Sequence, residues 1–142
     1  LTTYIQQSLK HFFKAKPYPF QIRANGAVIN TEAFFVSIAN SNQFGNNFTI
    51  APKASLSDGL LDIVIVNKTG KFNLILKILK QIRKGKIVHA GSPQKTIHYF
   101  QTNKMTVLNP AKAPLHIDGE VAKTAEHFEI VVLPQAFLLL QP

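Results

Sequence analysis

The fold is organised around residues 40–66, which read NSNQFGNNFTIAPKASLSDGLLDIVIV. A polar region broken by glycine and proline lies between two apolar runs, AFFVSIA at 33–39 and LLDIVIV at 60–66. Apolar runs of this length, bounded by turn residues, are typical of buried strands. We therefore expect a loop held by two strands of a sheet. Loops on a rigid scaffold are where binding and catalysis concentrate.

Two elements are predicted before this stretch. Residues 3–14 place apolar side chains at helical spacing, which predicts an amphipathic helix that ends before Pro17. Residues 19–30 alternate apolar and polar about Asn25-Gly26. That dipeptide suits the positive φ angles of a two-residue type I′ turn, so we predict a β-hairpin.

A second helix and a series of short strands are predicted after it. Residues 71–84 form one apolar and one basic face at helical period, which favours a helix packed on the sheet over one that lies on an anionic membrane. Short strands are predicted at 95–102, 104–109, 113–121, 127–134 and 136–141. The fold class is therefore β-rich α+β: a mainly antiparallel two-layer β-sandwich with two helices, in one domain over residues 1–142.

Charge is distributed unevenly along the chain. The formal net charge is +9, and no Asp or Glu occurs between Ile63 and Ile117, where ten Lys and Arg are found. Such a segment suits anionic lipid headgroups, nucleotide phosphates or nucleic acid, and the alternative is a solvated basic face. No apolar run is long enough to span a membrane, and the absence of Cys excludes disulfides and thiolate metal sites. A reducing cytoplasm fits this composition.

Two short motifs contain the candidate chemistry. Asp58-Gly59, within 51–62, places a carboxylate in a tight turn, where it and neighbouring carbonyl oxygens could bind Mg²⁺; the alternative is ordinary turn chemistry. Asp118 and Glu120 flank Gly119 in a chain poor in acids. They could be a general base and its partner or a metal site, and the alternative is a hairpin turn with a solvated Glu.

Taken in order, these motifs resemble the C-terminal domain of the diacylglycerol kinase and sphingosine kinase family, in particular the bacterial YegS-like lipid kinases. The shared features are Ala39-Asn40, Ala-Pro-x-Ala at 51–54, Asp-Gly-x-Leu-Asp at 58–62 and Asp-Gly-Glu at 118–120. The resemblance runs from about Tyr4 to the end of the chain. This sequence departs from the family pattern at 43–47, where it has one Gly with two Asn and many members have three consecutive Gly.

The resemblance implies specific roles for a few residues. It implies that Glu120 accepts the proton of the lipid hydroxyl, with Asp118 beside it. It also implies that Asp58 binds Mg²⁺ together with the backbone carbonyls of Ser55 and Leu60. Asn40 and Gly45 would belong to a loop that contacts the substrate.

The resemblance also implies partners that lie outside this sequence. Family members bind ATP mainly through an N-terminal domain with a Gly-Gly-Asp-Gly-Thr motif, which this sequence lacks. The chain begins at Leu1, so we expect it to be part of a longer kinase and inactive alone. We expect a lipid substrate, peripheral contact with the inner face of the membrane and no nucleic acid, and a homodimer is compatible with the sequence. The alternatives are a domain of an NAD-kinase-like enzyme and a non-catalytic basic module that binds membrane or nucleic acid.

Overall fold

The computed structural model describes residues 16–42, 51, 53–68 and 96–136. These residues contain no helix and eight strands: β1 (Tyr18–Ala24), β2 (Ala27–Ala39), β3 (Leu61–Asn67), β4 (Ile97–Thr102), β5 (Lys104–Leu108), β6 (Leu115–Ile117), β7 (Glu120–Ala122) and β8 (His127–Val131). Both predicted helices, at 3–14 and 71–84, lie outside the described residues, as does most of the predicted strand at 136–141. No helix in the described part is long and apolar enough to cross a membrane.

Six strands form one sheet in the order β4-β3-β2-β1-β5-β8, and β6 pairs with β7 alone. Every neighbouring pair is antiparallel. This confirms the prediction of a mainly antiparallel β structure.

The predicted hairpin at Asn25-Gly26 is confirmed. Ala24 pairs with Ala27, and the two turn residues have φ angles of 51° and 74°, as a type I′ turn requires. The Asn25 side chain donates to the Gln101 carbonyl at 2.8 Å and accepts from the Thr102 hydroxyl at 3.0 Å. The tip of the first hairpin is therefore fastened to the end of β4.

Strand β2 belongs to two parts of the sheet. Residues 27–33 pair with β1 and residues 33–39 pair with β3, with the register shifted by one residue at Phe34. Such a β-bulge bends and twists a strand. The sequence therefore predicted a hairpin arm and a separate strand where the structure has one long, bent strand.

The short connection between β4 and β5 shows that the sheet folds over. One residue, Asn103, separates these strands, although β3, β2 and β1 lie between them in the sheet. Strands are spaced about 4.8 Å apart, so four steps across a flat sheet would cover about 19 Å. Two residues of chain span at most about 7 Å. The sheet must therefore curl into two layers, which is the sandwich-like arrangement predicted from the sequence.

The core lies on both faces of β3. Ile63 and Ile65 point to one face and join Ile22, Met105 and Val107 in a buried cluster. The intervening Val64 and Val66 point to the other face, where they pack with Ala51 and Tyr99. Full burial of one such aliphatic side chain contributes about 1.5–3 kcal/mol. Ala51 belongs to the polar stretch between the two apolar runs, so that stretch contacts the sheet at this residue.

Candidate functional site

The Asp58-Gly59 turn directly precedes β3. The backbone N–H of Leu60 donates to Asp58 Oδ1 at 2.9 Å, and Gly59 has a φ of +70°, which Gly adopts without a steric penalty. Just before the turn, the N–H of Ser57 donates to the Ser55 hydroxyl at 3.3 Å. Asp58 therefore closes its own turn and remains exposed to solvent.

Asp62, four residues later, is fully buried. It lies on β3 opposite Gln101 of β4, and it shares a sheet face with Val64 and Tyr99. The Tyr99 hydroxyl donates to Asp62 Oδ1, and Gln101 Nε2 donates to Asp62 Oδ2 at 3.1 Å. Both carboxylate oxygens thus have a partner, as a buried acid requires.

Gln101 connects the two aspartates. Its amide also reaches Asp58 Oδ2, at a longer distance of 3.4 Å. Burial raises the pKa of Asp62, the hydrogen bond from Gln101 opposes that effect, and the nearby charge of Asp58 adds to it. The turn and the sheet therefore share one polar cluster, formed by Asp58, Asp62, Tyr99 and Gln101.

Sequence reasoning found Asp58 but missed the other three residues of this cluster. One signal was present: Asp62 stands inside the apolar run LLDIVIV. A carboxylate in a buried strand is costly unless it is hydrogen-bonded, so the run itself implied partners on a neighbouring strand. Tyr99 and Gln101 could be identified only once the β3–β4 register was known.

The chemistry of the Asp58 turn fits a hard cation. The described residues contain no group of three or more His, Cys, Asp or Glu placed to hold a metal. A Mg²⁺ ion at Asp58 would therefore take its other ligands from carbonyl oxygens and water, and Mg²⁺ usually keeps several waters. Asp62 is buried, and its two carboxylate oxygens accept hydrogen bonds from Tyr99 and Gln101. Asp58 is therefore the carboxylate of this cluster that is exposed and could bind an ion.

The second candidate motif is the tip of the β6–β7 hairpin. Asp118 and Gly119 have φ angles of 50° and 89°, and Ile117 pairs with Glu120. The strand predicted at 113–121 is thus two strands joined by a type I′ turn. Glu120 and Asp118 are exposed, and no hydrogen bond between them is seen in the described part of the chain.

The register gives Glu120 an apolar neighbour. Residues directly opposite each other in an antiparallel pair lie on the same face, so Ile117 and Glu120 share one face of the hairpin while His116 and Val121 share the other. Ile117 is 59% exposed and Val121 is 80% exposed. The tip therefore presents a carboxylate next to an exposed aliphatic side chain.

The structure places the two motifs in separate parts of the fold. Asp58 lies with Asp62 and Gln101 at the start of β3, whereas Glu120 lies on the β6–β7 hairpin. Within the described residues, no hydrogen bond or ion pair joins the two groups. Asn40 is exposed directly after β2, and Gly45 lies outside the described residues.

Part of the basic segment is paired with acidic residues. All three lysines of the acid-free segment that the structure describes contact a Glu from outside it: Lys68–Glu32 at 2.7 Å, Lys104–Glu129 at 2.9 Å and Lys112–Glu126 at 3.2 Å. The hydrogen bond from Lys104 lowers the pKa of Glu129. These exposed pairs add little stability, but they favour the interpretation of a solvated face at these three positions.

Comparison with known proteins identifies the family. The family described as YegS C-terminal NAD kinase beta sandwich-like domain matches residues 2–141. The chain belongs to this family. The resemblance predicted from the motifs at 51–62 and 118–120 is therefore confirmed.

The named relatives of this YegS C-terminal domain are longer proteins. A protein named "Probable lipid kinase YegS-like" from Shewanella frigidimarina is 30% identical over 128 residues, which cover 89% of this chain and 39% of the relative. The diacylglycerol kinase of Bacillus subtilis is 25% identical over 105 residues, which cover 74% of this chain and 33% of the relative. The chain thus spans about two fifths or less of these relatives.

A solved structure shares the fold. A crystal structure of a diacylglycerol kinase from Bacillus anthracis matches this chain with a TM-score of 0.61 and 19% sequence identity. The match covers 90% of this chain and 47% of the chain in that structure. At this identity the match supports the fold alone, and it agrees with the curled antiparallel sheet described above.

Proposed function

We propose that this domain is the C-terminal part of an ATP-dependent lipid kinase that phosphorylates a hydroxyl of diacylglycerol or a related lipid. Family membership and the names of the relatives support the reaction class. The observation that carries the proposal is the tip of the β6–β7 hairpin, where an exposed Glu120 lies opposite Ile117. That pair offers a proton acceptor and an apolar contact to an amphiphilic alcohol.

Glu120 acts as the general base. As the lipid oxygen bonds to the γ-phosphorus of ATP, the bond from that phosphorus to the β-γ bridging oxygen breaks and ADP leaves. The hydroxyl proton passes to the Glu120 carboxylate. Phosphoryl transfer depends mainly on positioning and charge stabilisation, so an exposed carboxylate that has no ion pair among the described residues suits this role.

Asp58 binds Mg²⁺ together with the carbonyl oxygens of Ser55 and Leu60. The ion neutralises negative charge near the phosphates when it is bound. Gln101 and the Leu60 N–H hold the Asp58 carboxylate from two sides, so the protein fixes its orientation. Asp118 shapes the hairpin turn, and Asn40 lies in the loop that approaches the substrate.

The rest of the kinase supplies ATP binding. The chain covers 39% of its Shewanella relative, which leaves ample sequence for a nucleotide-binding domain. We propose that turnover belongs to the complete protein at the cytoplasmic face of the membrane, and we expect none from this chain alone. The alternative, an NAD-kinase-like enzyme, is supported only by the words in the description of the family, whereas the named relatives are lipid or diacylglycerol kinases.

The test is a phosphoryl-transfer assay on the complete protein that contains this chain. Labelled ATP is supplied with phospholipid vesicles that contain diacylglycerol, or with NAD as the competing acceptor. Glu120→Gln should lower lipid phosphorylation by about 10²- to 10⁴-fold, the usual contribution of general-base catalysis. Glu126→Gln is the matched control, because Glu126 is also exposed but pairs with Lys112. Phosphorylation of NAD in place of lipid, or full activity in Glu120→Gln, would contradict the proposal.

A further inference from the structure

The hairpin that carries Glu120 is an excursion from the main sheet. Leu108, the last residue of β5, pairs with His127, the first residue of β8. Between them, residues 109–126 leave the sheet and return to it, and the N–H of Asn109 donates to the Glu126 carbonyl at 2.7 Å to close the base.

A buried amide lies at this base. Asn109 is 2% exposed. Its Nδ2 donates towards the Ala113 carbonyl at 3.1 Å and towards the Thr124 hydroxyl and the Ala125 carbonyl, both at 3.2 Å. Its Oδ1 accepts from the Ala113 N–H at 2.8 Å. Both ends of the Asn109 amide are thus used.

The contacts join the two arms of the hairpin. Ala113 precedes β6, whereas Thr124 follows β7. The Thr124 hydroxyl also donates to the Ala113 carbonyl at 2.7 Å, which closes a ring of three residues. We call Asn109, Ala113 and Thr124 the hairpin clamp.

Within the described part of the chain, the tip beyond the clamp has little else to orient it. A two-stranded hairpin is marginally stable by itself, and both Ile117 and Val121 near the tip are largely exposed. Among the described residues, its direction is therefore set at the base, where a satisfied buried polar network specifies one arrangement.

We propose that Asn109, together with Thr124, is a positioning residue for Glu120. The hairpin clamp fixes the angle at which β6 and β7 leave the sheet, and so fixes where the carboxylate meets the lipid hydroxyl. This inference rests on the proposed role of Glu120 for its kinetic consequence, but its structural part can be measured separately.

The test uses the complete protein with three substitutions and one control. Asn109→Asp keeps the acceptor for the Ala113 N–H and loses the donors. Thr124→Val removes the hydroxyl at nearly constant volume, whereas Thr124→Ser keeps it. Asn30→Ala is the control, because Asn30 also has a side-chain hydrogen bond, from Gln21 at 2.9 Å, but none of the described hydrogen bonds joins it to a clamp residue.

Hydrogen exchange and kinetics are measured on each variant after its melting temperature has shown that it is folded. Asn109→Asp and Thr124→Val should speed amide exchange at residues 113–124 by about tenfold or more while exchange in β1 to β3 is unchanged. They should lower kcat by about 10- to 100-fold with an unchanged KM for ATP, because a displacement of about 1 Å costs on the order of 10²-fold in rate. Thr124→Ser and Asn30→Ala should behave as wild type. If Asn109→Asp does not fold, the comparison of Thr124→Val with Thr124→Ser tests the role of the clamp by itself.

Two results would overturn the inference. Unchanged exchange at residues 113–124 would show that the clamp does not fix the hairpin. Faster exchange with wild-type kcat would show that its order does not matter to the reaction. Full activity of Glu120→Gln would instead overturn the proposed function, while the exchange data would still decide whether Asn109 orders the hairpin.

Discussion

The chain uses Asp-Gly twice, and the two turns differ in what their carboxylates do. At Asp58-Gly59 the side chain closes the turn by accepting from Leu60 and contacts Gln101. At Asp118-Gly119 the backbone makes the turn, with both residues at positive φ, and the side chain is exposed. The same dipeptide therefore predicts a turn at each place but not the role of its acid.

The strands that follow account for the difference. Strand β3 is buried on both faces, so the acids at its start are tied into a hydrogen-bonded cluster. Strands β6 and β7 are largely exposed, so a carboxylate at their tip is open to solvent. The structural support of the first region is seen in these contacts, whereas metal binding at Asp58 and proton transfer at Glu120 belong to the proposed function.

The largest stability effect is expected from the buried acid. Asp62→Ala leaves the buried Tyr99 hydroxyl without its acceptor, which should lower the free energy of unfolding by about 1–3 kcal/mol. Urea denaturation measures this. Adding Tyr99→Phe should recover part of the loss, because removing both partners of a hydrogen bond costs less than removing one. Equal stability of Asp62→Ala and wild type would contradict the comparison, because the acids at the start of β3 would then have no structural role.

A smaller effect is expected at Asp58, where two substitutions separate turn closure from metal binding. Asp58→Ala removes the acceptor for the Leu60 N–H and should cost about 0.5–1.5 kcal/mol. Asp58→Asn keeps that acceptor and should cost less. If Asp58 binds Mg²⁺ as proposed, adding Mg²⁺ should raise the melting temperature of the wild-type protein and leave that of both variants unchanged. The same response to Mg²⁺ in all three proteins would remove the metal role.

The smallest effect is a pH dependence of stability. Burial raises the pKa of Asp62 above its usual 3.8, so the folded state holds this proton more tightly than the unfolded state does. Its contribution to the free energy of unfolding is therefore greatest below pH 3.8 and declines as the pH rises through the folded-state pKa. Asp62→Asn cannot titrate and should lack this decline. Urea denaturation at a series of pH values measures the difference in free energy of unfolding between wild type and Asp62→Asn. A difference that shifted in favour of wild type as the pH rose would contradict the raised pKa.

Local sequence signals predicted much of this molecule. Asn25-Gly26 fixed a hairpin because only a few residue pairs tolerate two positive φ angles. The apolar run at 60–66 predicted a buried strand, and Glu120 was expected to be exposed because it follows a turn. These features depend on residues that are adjacent in the sequence.

Features that depend on strand register could not be predicted. Asp62 meets Tyr99 and Gln101 across 37 and 39 residues, and no local pattern encodes that pairing. The bulge at Phe34 merges two predicted strands because β2 bends between two layers. Asn109 looked like the end of a strand, and its contacts with both arms of the hairpin follow only from the folded chain.

The most direct test of the division between the two regions measures kcat and the free energy of unfolding on the same preparation of Glu120→Gln. The account predicts that kcat for lipid phosphorylation falls by about 10²- to 10⁴-fold, while the free energy of unfolding stays within about 0.5 kcal/mol of wild type, as for most surface substitutions. Wild-type kcat, or a loss of kcat matched by a loss of stability, would contradict it.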